Sequence, residues 1–258
     1  FFYPPPPASP LSLGLVGSEM CIRDRKASGK ASSVVADVSD LRQVEMLFKS
    51  VKKQVGRIDA VIHCAGVYGT IGSVTEVNPE EWFETIRINL YGAFLVSREA
   101  CRQMKQTGGG NIVLFSGGGA ASPFPYYTAY ACGKVSVVRL TETLAQEVQP
   151  FNIRVNCIAP GFVITRLHDD TLKAGELAGQ KFLEATKKQI ESGGVPPSVS
   201  AGAAVFLISD EAKGITGKFV AAPYDGWASW PKHLEELQGT DIFTLRRIVP
   251  RDRGMDWQ

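Results

Sequence analysis

Four short apolar runs recur along the chain: IDAVIH (58–63), NIVLFS (111–116), IRVNCIA (153–159) and ITGKFVAA (215–222). A fifth, the β-branched run SSVVADV (32–38), precedes them, and every gap is long enough for a helix. This alternation restricts the fold more than any other feature. Strands joined through helices of ten or more residues pair in parallel, and a parallel sheet buries both faces under helices. The expected fold is α/β, a doubly wound and mostly parallel sheet. Ligands on such sheets bind beyond the carboxyl ends of the strands, so chemistry is expected just after Val38, His63, Ser116 and Ala159.

The connecting segments carry their own punctuation. Leu41, Val44, Leu47, Val51 and Val55 recur at helical spacing behind a Ser39 cap, with Gly56 as the stop. Asn78-Pro79 opens a helix through Trp82, Ile86, Leu90 and Leu95 to about Met104, before GGG (108–110). A further helix is expected from about Tyr127 to Val148. Residues 166–196 are polar, with one helical stretch near Lys181 to Ile190, and AGAAVFLIS (201–209) reads as a buried helix.

Bulk properties exclude several classes of function. At 258 residues the chain can bury a sizeable core. Its 28 Lys and Arg against 26 Asp and Glu give a net charge of +2, no electrostatic basis for a nucleic-acid partner. No apolar run approaches the ~20 residues that cross a bilayer, so no membrane partner is expected. The five cysteines are scattered without a C-x-x-C pair and the three histidines are dispersed, which argues against a disulfide framework or metal site and for the cytoplasm.

YACGK places Tyr130 and Lys134 four apart, on one face of a helix. A phenol is a poor base at neutral pH, and a neighbouring ammonium favours its ionised form. Such a pair can pass a proton to or from an alcohol or ketone. Ser116 ends the preceding strand with a hydroxyl, and Asn89 stands in mid-helix, where asparagine is unfavourable unless it has a polar task. Pro160-Gly161 after IRVNCIA lets the chain turn over a bound ring, with Thr165 in reach of a carboxamide.

Together, ADVSD (36–40), HCAG (63–66), INLYG (88–92), the serine strand, YACGK, RVNCIAPGFVIT (154–165) and ITGK (215–218) resemble the short-chain dehydrogenase/reductase family, in its order and over residues 26 to 225. The resemblance implies an NAD(P)-dependent oxidoreductase interconverting a secondary alcohol and a ketone and working as a homo-oligomer, a dimer or tetramer. Tyr130 would be the acid/base, and Lys134 would lower its pKa and hold the nicotinamide ribose. Ser116 would polarise the substrate carbonyl and Asn89 would support a proton relay. Asp37 and Val38 would meet the adenine, with Ala65 and Gly66 allowing close approach of its ribose. Pro160, Gly161, Val163 and Thr165 would seat the nicotinamide.

Three departures accompany the resemblance. His63-Cys64 replaces the usual asparagine pair, with His63 read as structural. The usual serine position is Gly117, Ser116 lies one residue earlier, and Ser122 is a weaker substitute. The glycine-rich strand-turn-helix that holds the pyrophosphate is missing, since neither Gly14 nor Gly17 belongs to a G-x-G-x-x-G pattern. The Rossmann-like fold is therefore expected to be N-terminally incomplete, and NAD cannot be told from NADP.

Residues 1–25 are accordingly expected to be a leader foreign to the core at 26–225. The tail 226–258, with Trp227, Trp230 and Trp257, is expected to pack on a neighbouring subunit, cap the cleft, or pack within its own chain. The departures also support an alternative, a catalytically silent member of the fold that senses nucleotide or assembles with partners.

Overall fold

The computed structural model describes residues 33–257. Its strands β1 (Ala60–His63), β2 (Gly110–Phe115), β3 (Ile153–Ala159) and β4 (Phe219–Ala221) form one parallel sheet in chain order. The register sets His63 beside Leu114, Leu114 beside Cys157 and Cys157 beside Phe219. Helices α1 (Leu41–Val55), α2 (Pro79–Ile86), α3 (Gly92–Met104) and α4 (Thr128–Val148) belong to one side. There Val44, Leu47, Val96, Ala100, Val137 and Val138 close over Val61, Ile112, Leu114 and Val155. On the other face Ala203, Phe206 and Leu207 of α7 (Pro197–Ile208) meet Val113, Ile158 and Val220. The doubly wound α/β architecture read from the alternation is the one the chain adopts.

Local chemistry explains most element ends. Asn78 accepts from the N–H groups of Glu80 and Glu81, with Pro79 at the first helical position. Gly56 ends α1 at φ 77°. The cap of α1 is Asp40 rather than Ser39: its Oδ1 accepts from Arg42 and Gln43 at 2.8 and 3.0 Å. Ser39 is one residue too early, and its hydroxyl donates instead to Asp37 at 2.7 Å. Between α2 and α3 the helix widens into a π turn over Arg87–Tyr91, which contains Asn89.

The expected strand at SSVVADV does not form among residues 33–38. A strand needs a hydrogen-bonding neighbour, and β1 is the edge of the sheet among the described residues. Val35 is exposed, while Val38 is fully buried. It packs close to Gly92, where an added Cβ would lie 3.0 Å from Val38 Cγ2. The leader at 1–25 and the start of the core as far as residue 32 lie outside the described residues.

Residues 166–191 hold two helices, α5 (Arg166–Ala174) and α6 (Gln180–Glu191), where the sequence pointed to one. The tail packs on its own chain. Trp230 is buried, its ring 4.4 Å from that of Phe243, and Leu237 of α8 (Leu234–Gly239) is buried beside it. Phe219 N–H donates to Phe243 O along the outer edge of β4, and Lys218 Nζ donates to the carbonyls of Thr240 and Ile242. Glu142 accepts from Leu245 N–H and Arg139 donates to Leu245 O, which ties the tail to α4. Trp257 is 66% exposed.

Candidate active site

The first turns of α4 bring Tyr130 and Lys134 under the carboxyl ends of β1 to β3. Both are buried, at 5% and 4% exposure. Lys134 Nζ lies 5.6 Å from the Tyr130 ring centre and donates to Phe115 O at 3.0 Å. An ammonium carries three donors, so two remain for a ligand. Burial is the main influence on both groups. It pushes the Lys134 pKa down to about 8, against smaller opposing effects of Cys157 and Cys64. It also pushes the Tyr130 phenol well above its ordinary value. The lowering expected from Lys134 is outweighed, because desolvation opposes the charged form of each partner.

Asn89 is held by a two-way amide clamp. Its Oδ1 accepts from Val67 N–H at 3.0 Å and its Nδ2 donates to Val67 O at 2.8 Å. The clamp fixes the segment after β1, so that a Cβ added at Gly66 would lie 2.8 Å from Asn89 Oδ1 and 2.9 Å from Lys134 Nζ. Gly133 of YACGK allows α4 to approach, since its added Cβ would lie 3.0 Å from Asn89 Cβ. Asn89, Lys134 and Gly66 therefore converge. Ala65 is buried beside them.

Ser116 is placed otherwise. Its hydroxyl is buried and donates to the Lys134 backbone carbonyl at 2.9 Å, so it props α4. The residue against the Tyr130 hydroxyl is Gly117, where an added Cβ would overlap that oxygen. Ser122 is exposed on the following loop. His63 is buried as a neutral imidazole, its pKa pushed down to about 3 by burial and then by Lys134. Neither of its ring nitrogens has a partner among the described residues.

On the cofactor side, Pro160 and Gly161 turn the chain after β3, with Gly161 at φ 76°. Val163 is half-buried and Thr165 is exposed at the start of α5. Asp37 is half-buried, but its Oδ1 already accepts from Ser39 N–H and Oγ. The residues on the nicotinamide side fit a dinucleotide: a side-chain-free floor at Gly66, spare Lys134 donors and the Gly161 turn. The expected loss of the glycine-rich pyrophosphate turn concerns residues outside those described.

The site also contains groups that sequence reasoning passed over. Tyr68 stands edge-on to Tyr130, ring centres 4.7 Å apart, and to Tyr127 at 5.1 Å. His168 of α5 lies against Phe162, 3.9 Å between ring centres, and accepts from Thr165 N–H. Phe182 of α6 closes the cluster over Phe124 and Tyr127. Phe124 packs within this cluster and Phe162 against His168, whereas Tyr126 is 44% exposed. The one advance signal for the rest was the aromatic density of residues 124–130.

A buried tyrosine-lysine pair thus stands at the carboxyl edge of a doubly wound, Rossmann-like parallel sheet. A family model described as Enoyl-(Acyl carrier protein) reductase matches residues 18–223, reaching into the segment 1–25. The NAD-dependent glycerol dehydrogenase of Listeria innocua is 34% identical over 70% of this chain and 69% of its own. Among solved structures, an NAD+-bound xylitol dehydrogenase superposes with TM-score 0.74 at 25% identity, covering 81% of this chain and 84% of that one. A gluconate 5-dehydrogenase from Burkholderia cenocepacia in complex with NADP and tartrate gives TM-score 0.69 at 25% identity, over 82% and 80%. The chain belongs to the short-chain dehydrogenase/reductase family.

Proposed function

We propose that the protein is an NAD(P)-dependent oxidoreductase that interconverts a small-molecule ketone and its secondary alcohol. The observation that carries this reading is the tyrosine-lysine pair: Tyr130 and Lys134 are both buried, with Lys134 Nζ 5.6 Å from the Tyr130 ring centre. Bound nicotinamide would supply the hydride. Burial keeps Tyr130 a neutral phenol, the form that donates a proton to a carbonyl oxygen as it becomes an alkoxide. The two spare Lys134 donors would hold the nicotinamide ribose, over the floor of Ala65 and Gly66. Pro160, Gly161, Val163 and Thr165 would line the ring's seat, and Asp37 and Val38 the adenine side. Asn89 keeps the segment after β1 in place, and Ser116 acts on the reaction by positioning Lys134.

A second reading, a catalytically silent nucleotide-binding scaffold, is favoured by Gly117, which leaves no hydroxyl beside Tyr130 to polarise a carbonyl. Either reading is compatible with a homo-oligomer. Exposed Phe83 of α2, Tyr91 of the π turn and Phe94 of α3, with Leu140 of α4, form an apolar surface suited to a second copy. Four described cysteines are free thiols, which supports a cytoplasmic setting. Among the described residues no helix is long and apolar enough to cross a membrane.

NAD(P)H consumption measured with a panel of ketones tests the two readings. Turnover that falls at least about a hundredfold in Tyr130→Phe supports the oxidoreductase. Cofactor binding without turnover on any ketone supports the scaffold.

A further inference from the structure

The relatives above are named for glycerol, xylitol and gluconate, yet the surroundings of Tyr130 offer little to a polyol. Phe124 and Tyr127 lie parallel, ring centres 4.4 Å apart and 7° between planes. Phe182 stands edge-on to both, at 4.7 and 5.1 Å. Phe124 in turn lies 6.1 Å from the Tyr130 ring, and Tyr68 closes the side at 4.7 Å. Of Phe124, Tyr127 and Phe182, only Tyr127 carries a hydroxyl, and it is already paired with Thr171 Oγ1 at 2.8 Å. A polyol chain seated here would press hydroxyls onto carbon rings, and each hydroxyl left unpaired costs about 1–3 kcal/mol.

Phe182 differs from the other rings in how it is held. Phe124 and Tyr127 adjoin the catalytic helix, and Tyr68 follows the Asn89-clamped segment. Phe182 is carried by α6, whose one buried residue is Thr186. That helix is bracketed by Gly179 at φ 76° and by Gly193 and Gly194 at φ 86° and 60°. A lightly anchored helix between left-handed glycines belongs to the low-stability end of a fold. The surface it uncovers on leaving is two parallel aromatic rings within one ring's reach of the Tyr130 phenol.

We propose that the substrate is a ketone or secondary alcohol bearing a flat apolar or aryl group, and that Phe182 occupies the place of that group until substrate displaces it. This deepens the oxidoreductase reading and rests on it for the reactive carbonyl. The aryl group makes the two edge-to-face contacts that Phe182 makes in the closed form, and the carbonyl beside it meets the Tyr130 hydroxyl.

Ligand-observed saturation-transfer NMR tests this without turnover, with acetophenone as the aryl ketone and dihydroxyacetone as the polyhydroxy ketone. Phe182→Ala removes the internal competitor, so acetophenone binding tightens on the order of tenfold while dihydroxyacetone is unaffected. Phe182→Leu keeps apolar filling and shifts binding in the same direction by less, which guards against a loss of folding in the alanine variant. Unchanged or weaker acetophenone binding in both variants overturns the proposal, as does equal saturation by dihydroxyacetone. Tightened aryl binding without NAD(P)H consumption leaves this inference standing and removes the redox reading. Turnover of dihydroxyacetone, indifferent to Phe182, does the reverse.

Discussion

Lys134 shows how far a single residue's role depends on burial. Its spacing from Tyr130 was legible because i and i+4 share a helix face. The direction of the pKa effect was not, since desolvation depends on what the sheet and the segments after β1 and β2 place around the pair. The consequence is measurable. Burial pushes the folded pKa down to about 8 from the ordinary 10.5. Between those values the unfolded chain holds the extra proton, so this residue's contribution to stability rises with pH across that window. Below about 8 the full cost of burying the ammonium is present. Urea denaturation of the wild type and Lys134→Met from pH 7 to 11 should therefore show the difference moving in the wild type's favour between about 8 and 10.5. A difference that stays flat would mean that Lys134 is solvated. Tyr68 and His168 lay beyond sequence reasoning for a related cause: each reaches Tyr130's surroundings from a separate segment, by tertiary packing alone.

Among the elements, the glycine turn at 117–119 sets the position of the phenol. An added Cβ at 117 would overlap the Tyr130 hydroxyl, and one at 119 would lie 2.7 Å from Ala131 Cβ. Gly117→Ser should destabilise the fold by about 1–3 kcal/mol through overpacking. In a Tyr130→Phe background most of that cost should vanish, because the obstructing atom is gone. A double-mutant cycle by urea denaturation measures the coupling, and strictly additive costs would contradict the placement. The π turn at Arg87–Tyr91 was hidden for a different reason. INLYG carries ordinary helical spacing, and the widened turn appears only once Asn89 is clamped to Val67. Helix α5 escaped notice because its inward residues, His168 and Thr171, are polar and give no apolar period. SSVVADV erred in the opposite way. Its β-branched composition was strand-like, but a strand is defined by its neighbour, and none lies beside it among the described residues.

For the whole molecule, the order of strands and helices was readable because a parallel sheet writes its alternation into the chain. The fate of the tail was not, since aromatic content alone does not say which surface it covers. Its contacts with β4, α7 and α4 make it part of the core. Trp230→Ala should cost about 3–5 kcal/mol in chemical denaturation, whereas Trp257→Ala should stay within about 0.5 kcal/mol. Equal effects would place the tail elsewhere. The central claim concerns one phenol, that of buried Tyr130 beside Lys134, donating its proton to a ketone. Ketone-dependent NAD(P)H oxidation by the wild type and by Tyr130→Phe, at matched cofactor binding, tests that claim most directly. The account predicts that the hydroxyl's removal abolishes turnover while leaving cofactor affinity unchanged; full turnover in Tyr130→Phe would contradict it.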